Sequence, residues 1–306
     1  MKAVVFGGSG FLGSHVADVL TEKGYKVTIY DSRQSPYINS QQKMVIGDIL
    51  DLESVEKTVE GAHYVYNFAG IADIDEACKR PLETIKINII GNTNILEACR
   101  KSRVKRFIFA SSVYVYSNLA SFYRSSKQAC ELIIENYQET YGLDFTILRY
   151  GSLYGRRANE FNFVFQVIKQ ALTEGKITRK GDGEEIRDYV NVLDAARCSV
   201  EVLSEEYKNQ HVMITGNQAI KVKDLLNMIK EMLNNQVKIE YLPERIRDHY
   251  QITPYSFTPR IAKKLVLPYY HDLGQGILDC IYEVYQAIKD QGDTKIIETN
   301  LYKGNC

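Results

Sequence analysis

Through the first half of the chain, short apolar runs alternate with stretches whose apolar residues recur at helical spacing. Ala3-Val4-Val5-Phe6 is an unbroken apolar run, the pattern of a strand buried on both faces. Glycines follow at Gly7, Gly8, Gly10 and Gly13, and then Val16, Val19 and Leu20 recur at helical intervals. This predicts a strand, a glycine turn and a helix. Residues 26–30 read as a second strand ended by Asp31, and the polar stretch 35–42, with Pro36, as a loop. A short strand over 43–46 runs into Gly47-Asp48-Ile49, a helix over 52–59 follows, and a strand over 64–68 is closed by Ala69-Gly70. One long amphipathic helix is predicted over 81–101, with Ile85, Ile89, Leu96 and Cys99 on its apolar side. Strand 106–110 leads into Ser111-Ser112, helix 124–141 follows, and a strand covers 145–149. Strands alternating with helices in this way imply an α/β fold with a doubly wound parallel sheet over residues 1–150.

After Arg149 the rhythm changes. Residues 151–161 are irregular and rich in Gly, Arg and Asn; 163–172, 194–203 and 223–233 read as helices, Gly181-Asp182-Gly183 as a turn, and 238–242 as a short strand. These smaller, discontinuous elements predict a second α/β lobe over 151–306, lying as a lid on the carboxyl edge of the sheet, where ligands sit in such folds. Some segments, about 182–212, are expected to return to the first domain. The polar tail after Gln291 is expected to fray.

A strand, a glycine turn and a helix N-terminus form a phosphate cradle. Glycine lets the backbone approach a pyrophosphate, and the helix dipole with its free N–H groups favours negative charge. Asp31 falls close to the offset of about 20 residues expected of a ribose-binding acid. Its carboxylate accepts bonds from ribose hydroxyls and repels a 2′-phosphate, which favours NAD over NADP; Arg33, two residues on, weakens that preference slightly. Asp48 can reach an adenine amino group or, equally, cap the helix over 52–59. Asn88 sits among apolar neighbours in its helix, and a buried amide must bond to something.

Composition narrows the partners. The 306 residues suffice for one large or two modest domains. Lys and Arg number 38, as do Asp and Glu, so no charge bias points to nucleic acid or to a membrane surface. Met1 is followed almost at once by the first core strand, and no apolar run approaches the ~18 residues of a membrane span. A cytoplasmic protein is expected. The six cysteines are scattered, with no C-x-x-C pair, and read as small core residues in a reducing compartment; neither they nor the dispersed histidines suggest a metal.

The chemistry concentrates in Tyr123-Arg124-Ser125-Ser126-Lys127. Tyr and Lys four apart share a helix face, and an ammonium beside a phenol, at a positive helix N-terminus, favours the phenolate. Such a tyrosine is a general base near neutral pH. Ser112, ending the strand before that helix, can hydrogen-bond the substrate oxygen that Tyr123 deprotonates. Serine, tyrosine and lysine downstream of a dinucleotide fold make a hydride-transfer site.

With these residues in hand, the sequence resembles the extended short-chain dehydrogenase/reductase family, and within it the nucleotide-sugar epimerases and dehydratases of UDP-glucose 4-epimerase type. The resemblance covers about residues 1–290. It rests on GGSGFLGSH, Asp31, GDI at 47–49, NFAG at 67–70, IN at 87–88 with GNT at 91–93, FIFASS at 107–112, YRSSK at 123–127, LRYGSLYG at 148–155 and GDGEEIRDYVNVLDAA at 181–196. It implies a Rossmann-type domain binding NAD through Gly7, Gly10, Phe11, Leu12, Gly13, Asp31, Asp48, Ile49, Phe68, Ala69, Gly70, Asn88, Lys127 and Tyr150. It assigns Ser112, Tyr123 and Lys127 to catalysis, with Ser112, Tyr123 and Ser152 at the sugar. Arg187 matches the family arginine that grips the diphosphate, and Arg245 and Asp248, in ERIRD, resemble the element that holds phosphate and nucleoside ribose. Asn162 resembles the asparagine opening the helix that meets the diphosphate. Two arginines and a helix N-terminus suit a diphosphate on physical grounds as well. The resemblance also implies a homodimer in which the helices at about 81–101 and 124–141 pair with their two-fold mates. Ile133, Ile134 and Tyr137, spread over more than one face of the second helix, suggest a second burial partner.

Departures from the family bear on the substrate. Dehydratases carry Thr-Asp-Glu where this chain has Ser112-Val113-Tyr114, and without the acidic pair that moves a proton and expels water a 4,6-dehydratase is disfavoured. Ser152 replaces a common Asn, Asn191 a common His, Arg156 a common Pro and Arg247 a common Gly. The expected activity is NAD-dependent 4-epimerisation of a nucleotide sugar through transient oxidation at carbon 4. The alternatives are a net 4-dehydrogenase or 4-ketoreductase with the same residues, and a dinucleotide-sensing protein that has lost the chemistry, against which the intact Ser112, Tyr123 and Lys127 argue.

Overall fold

The computed structural model describes residues 1–243 and 263–290. The chain opens β1 (Lys2–Phe6), α1 (Phe11–Glu22), β2 (Lys26–Asp31), β3 (Lys43–Ile46), α2 (Leu52–Val59), β4 (Tyr64–Asn67), α3 (Ile74–Lys79) and α4 (Pro81–Ile85). A π-helical turn, Lys86–Gly91, joins α4 to α5 (Asn92–Lys101). Next come β5 (Arg106–Ser112), a 3-10 turn (Val113–Tyr116), α6 (Ser121–Tyr141) and β6 (Phe145–Tyr150). The remainder is β7 (Ser152–Tyr154), α7 (Phe163–Glu174), β8 (Lys176–Lys180), β9 (Ile186–Asn191), α8 (Val192–Glu201), β10 (Gln210–Ile214), β11 (Ala219–Lys221), α9 (Val222–Met232), β12 (Lys238–Leu242), β13 (Lys263–Lys264) and α10 (Leu273–Asp290).

These elements form two compact units. The first holds Met1–Gly151, Leu193–Thr215 and residues 263–267. Its eight strands lie in the order β13-β10-β6-β5-β4-β1-β2-β3, every pairing parallel. This is a Rossmann-type doubly wound sheet, whose order reverses between β1 and β4. The apolar runs read from the sequence are its central strands: Val4, Val65, Phe107 and Ile147 are fully buried. Val55 and Val59 of α2, Leu96 and Cys99 of α5, and Cys130 and Ile134 of α6 pack into the same core. Each such large aliphatic or aromatic side chain contributes about 1.5–3 kcal/mol on burial.

The second unit holds Ser152–Val192 and, among the described residues, 216–243 and 268–290. It contains a three-stranded sheet, β11-β9-β7, and the parallel pair β12-β8. Ile168 and Leu172 of α7, Leu225 and Ile229 of α9, and Ile277 and Ile281 of α10 form its own core. The strand β9, inside the stretch expected to return to the first domain, pairs with β7 and β11, so the segment counted with the first unit begins at Leu193.

Three local expectations are corrected. The single helix over 81–101 is broken into α4, a π turn that contains the buried Asn88, and α5. Helix α6 begins at Ser121, three residues earlier than expected, behind Ala120 at φ 68°. Helix α2 is capped by Asp51, which accepts the Ser54 N–H at 3.2 Å, and not by Asp48, which accepts the Leu50 N–H at 2.9 Å. Arg245, Asp248 and the tail after Gln291 lie outside the described residues.

Candidate active site

The glycine turn folds tightly onto its neighbours. Gly7 has φ +75°, and a Cβ there would stand 2.6 Å from the Ala69 nitrogen. A Cβ on Gly13 would stand 2.3 Å from the Gly7 carbonyl oxygen. Only hydrogen fits at either place, so glycine is required for the β1–α1 turn to pack this closely, and Gly10, Phe11 and Leu12 lead from it into α1. No side chain caps α1, which leaves its first N–H groups to a ligand. Asp31 ends β2 beside this turn; its carboxylate accepts the Ser9 N–H at 3.0 Å and the Arg33 N–H at 3.3 Å. Backbone donors at a helix start with an acid alongside match the charges of a dinucleotide, a pyrophosphate flanked by ribose hydroxyls. Phe68, Ala69 and Gly70 follow β4 directly, and Phe68 stacks on Tyr66 at 6.0 Å. Asp48 is exposed, whereas the Ile49 side chain belongs to the core.

Two of the residues expected at the cofactor engage their polar atoms elsewhere. The Asn88 amide accepts the Ile71 N–H at 2.7 Å and donates to the Ile71 oxygen at 3.0 Å and to Ser126 Oγ at 2.9 Å. It thereby clips the loop after β4 to α6. Ser126 donates in turn to the Tyr123 carbonyl at 2.8 Å. The Tyr150 hydroxyl lies 2.6 Å from Ser199 Oγ, whose hydrogen goes to the Ala195 carbonyl, so Tyr150 donates into α8. Its phenol is buried and its pKa is pushed well up by desolvation. That hydroxyl is therefore engaged with α8.

Ser112, Tyr123 and Lys127 all belong to the first unit and are all buried. Ser112 is the last residue of β5, and its Oγ accepts the Tyr114 N–H at 3.3 Å, which leaves the hydroxyl hydrogen to donate elsewhere. Tyr123 is the third residue of α6, where the positive end of the helix dipole favours a phenolate. The Tyr114 ring meets it edge-on at 6.3 Å, within a small apolar cluster of Ile74, Ala77 and Ala120. Lys127 donates to the Ala110 carbonyl, two residues before Ser112, at 2.8 Å. Its ammonium lies 4.8 Å from the Phe109 ring centroid and 5.9 Å from that of Tyr123. Burial pushes its pKa below the ordinary value, opposed by its electrostatic interactions with Cys130 and Glu131. One of its three hydrogens has a polar partner among the described residues, so two remain for a ligand.

Beside this lies a charged network absent from the sequence reading. Arg149, 1% exposed, forks onto Glu131, 4% exposed, with Nε–Oε1 at 3.1 Å and Nη2–Oε2 at 2.6 Å. Ser111 Oγ donates to Glu131 Oε1 at 2.5 Å. Arg149 also donates to the Tyr116 hydroxyl and lies 4.7 Å over that ring. The signal was present: an arginine inside the apolar strand FTILRY must be paired, and Glu131 stands one helical turn from Lys127.

The second unit carries the other expected substrate residues. Ser152 opens β7, paired with Tyr189 of β9. Asn162 is the N-cap of α7, accepting the Phe165 N–H at 3.2 Å while its amide donates to the Leu153 carbonyl at 2.8 Å. Arg187 lies on the central strand β9, 7% exposed, with Nη1 donating to the Ile186 carbonyl at 3.0 Å. A buried arginine and a capped helix start on one small sheet-and-helix unit are compatible with an anionic ligand.

Similarity to known proteins agrees with this geometry. Residues 3–215 match the NAD dependent epimerase/dehydratase family. A Methanocaldococcus jannaschii protein provisionally named a UDP-glucose 4-epimerase is 31% identical over 270 residues, covering 81% of this chain and 88% of its own. Among solved structures, the UDP-glucose 4-epimerase of Thermotoga maritima, with UDP-glucose, superposes with a TM-score of 0.82 at 27% identity, over 94% of this chain and 100% of the other. The UDP-N-acetylglucosamine 4-epimerase of Methanobrevibacter ruminantium, in complex with UDP-N-acetylmuramic acid, gives 0.83 at 25% identity, over 94% and 98%. With the parallel sheet, the glycine turn and the Ser-Tyr-Lys group, the match over more than two-thirds of its length makes this chain a member of the NAD dependent epimerase/dehydratase family of enzymes.

Proposed function

We propose that the chain is an NAD-dependent 4-epimerase of a nucleotide-diphosphate sugar. The observation that carries this reading is that Lys127, 5.9 Å from the Tyr123 ring centroid, bonds the Ala110 carbonyl two residues before Ser112, with all three side chains buried in the unit that holds the glycine turn. NAD, when bound, would supply the acceptor for a hydride from sugar carbon 4 and the donor for the later re-reduction. Tyr123 takes the proton of the carbon-4 hydroxyl as that carbon–oxygen bond becomes a carbonyl, and gives it back on re-reduction. Ser112, whose hydrogen is not used by Tyr114, donates to the same oxygen and holds it against the phenol. The Lys127 ammonium favours the phenolate and offers its remaining hydrogens to the cofactor's ribose. Gly7, Gly10 and Gly13 shape the pyrophosphate cradle, and Asp31 takes the adenosine ribose. Ser152, Asn162 and Arg187 are assigned to the sugar and its diphosphate, with Arg245 and Asp248. The relatives named for UDP-sugars support a UDP-linked substrate.

The same reading includes a homodimer. Ile134 is buried in the core of the unit, whereas Ile133 and Tyr137 pack against that core and stay partly exposed, Tyr137 donating to Glu97 at 2.6 Å. Other apolar side chains on the same helices are exposed: Leu82, Ile85 and Ile90 before α5, and Leu132 and Tyr141 on α6. A monomeric mass by light scattering at micromolar concentration overturns the dimer. The five described cysteines are free, which suits a cytoplasmic enzyme. Among the described residues no helix is long and apolar enough to cross a membrane.

The activity is tested by incubating the NAD-loaded protein with UDP-glucose, UDP-N-acetylglucosamine and UDP-glucuronic acid in turn. An epimerase yields the 4-epimer by chromatography without accumulating absorbance at 340 nm. Stoichiometric growth of that absorbance makes it a net 4-dehydrogenase. No turnover of any of the three, with NAD bound, removes the reading.

A further inference from the structure

We propose that the Arg149–Glu131 ion pair is the positioning centre of the proton-transfer site, an inference that rests on the roles given above to Ser112, Tyr123 and Lys127. Tyr123, Lys127 and Glu131 recur at intervals of four along α6, and all three are buried. Glu131 is therefore on the face that bears the base and its ammonium, one turn beyond Lys127. From that point the pair reaches every other segment that bears a reacting group. Ser111, bonded to Glu131, precedes Ser112 on β5 and lies opposite Arg149 in the β5–β6 register. Tyr116, bonded to Arg149, closes the 3-10 turn whose Tyr114 N–H is held by Ser112 and whose Tyr114 ring rests edge-on against Tyr123. Strand, turn and helix are thus tied to one carboxylate–guanidinium fork.

A fork of this kind fixes both distance and orientation, which a greasy contact does not. A buried ion pair is a poor source of net stability, because desolvating two charges offsets their attraction. Its value here lies in the angle at which α6 presents Tyr123 and Lys127 to Ser112. The charged and titratable groups around it are few: Lys127, Cys130 and Glu135 on α6, Tyr116 on the turn, and His211 on β10, whose Nε2 lies 3.2 Å from Glu135 and 3.8 Å from Glu131. The Cys130 thiol, pushed up to about 12 by burial, stays neutral. Arg149 thus cancels the one carboxylate next to Lys127, so the pair orients the site without adding net charge to it. Arg149 and Glu131 touch neither substrate nor cofactor in this scheme and are positioning residues.

The experiment separates positioning from simple support. The double variant Glu131→Leu/Arg149→Met removes both charges together, leaving neither unpaired. It is compared with wild type for melting temperature, for NAD affinity, and for kcat and KM with whichever of UDP-glucose, UDP-N-acetylglucosamine and UDP-glucuronic acid is turned over fastest. The expected result is a melting temperature and a KM like those of wild type with kcat lowered about 100-fold, the cost of a misplacement near 1 Å. A kcat that recovers together with the melting temperature overturns the inference. Tyr116→Phe and Ser111→Ala delete one tether each without leaving a buried charge alone. Each is expected to lower kcat several-fold at constant KM and NAD affinity, and unchanged kcat in both is equally fatal should the double variant fail to fold. If Tyr123→Phe turns over at the wild-type rate, the functional reading itself fails. If Tyr123→Phe is dead and the network variants are fully active, only the positioning role is lost.

Discussion

Two buried cations lie close to Glu131 of α6, Lys127 on the helix itself and Arg149 on β6, and the chain treats them in opposite ways. Around Arg149 the surroundings are complete: burial opposes its charge, but Glu131 more than offsets that and holds its pKa above the ordinary value. Around Lys127 they are incomplete: one backbone carbonyl and two aromatic faces meet an ammonium whose pKa burial pushes down. A fully satisfied charge orders its neighbours and does nothing further. A charge left short of partners retains both the capacity to bind and the field to act on a neighbouring phenol. The contrast separates scaffold from chemistry inside one hydrophobic core.

The largest effect belongs to the chemical side. Tyr123→Phe deletes the one hydroxyl assigned to accept the substrate proton, and turnover is expected to fall ~100- to 10,000-fold. Nucleotide-sugar binding, followed by calorimetry, is expected to persist. Ser112→Ala, which removes a hydrogen bond but leaves the base, is expected to cost less than Tyr123→Phe; the reverse order breaks the assignment.

Next in size is stability on the scaffold side. Arg149→Met leaves Glu131 buried and unpaired, and unfolding by urea is expected to show a loss of about 3–5 kcal/mol. A loss close to zero means that the pair is not held as tightly as the fork implies.

Lys127→Met is expected to do the opposite. It removes a penalised charge, so activity collapses while the melting temperature rises by about 2 °C, equivalent to ~1 kcal/mol. The pH dependence has a definite sign. The folded-state pKa of Lys127 lies below its ordinary 10.5, so its penalty is full below the folded value and fades as pH rises toward 10.5. The advantage of Lys127→Met is therefore greatest near neutral pH and shrinks on the alkaline side. A variant that melts below wild type at pH 7 contradicts the picture of an under-satisfied lysine.

The smallest effect lies away from both cations. Asp31→Ala removes a charged acceptor from the ribose position, and the preference for NAD over NADP, measured by fluorescence titration, is expected to fall about tenfold. An unchanged ratio means that Asp31 does no more than tie Ser9 and Arg33 together.

Much of the site was legible in local pattern. The glycine turn, Asp31, Ser112 and the Tyr123–Lys127 pair lie in short motifs whose spacing along one strand or one helix is itself the geometry. The Asn88 amide was legible only as a demand for partners, since Ile71 and Ser126 lie 17 and 38 residues away. The π turn that contains it has no clear compositional mark. The Arg149–Glu131 fork was missed because an arginine ending an apolar strand names no partner until strand order and helix packing are known. The hydroxyl partner of Tyr150 was illegible for a related reason: Tyr150 ends β6, and Ser199 lies 49 residues away.

By itself the sequence determined the alternation of strands and helices, the parallel sheet and the spacing of Ser112, Tyr123 and Lys127, because periodicity and short-range motifs are properties of adjacent residues. Only the tertiary structure decided which buried charge is neutralised and which is not. That depends on which side chains from distant strands meet α6, and on how far each is withdrawn from water.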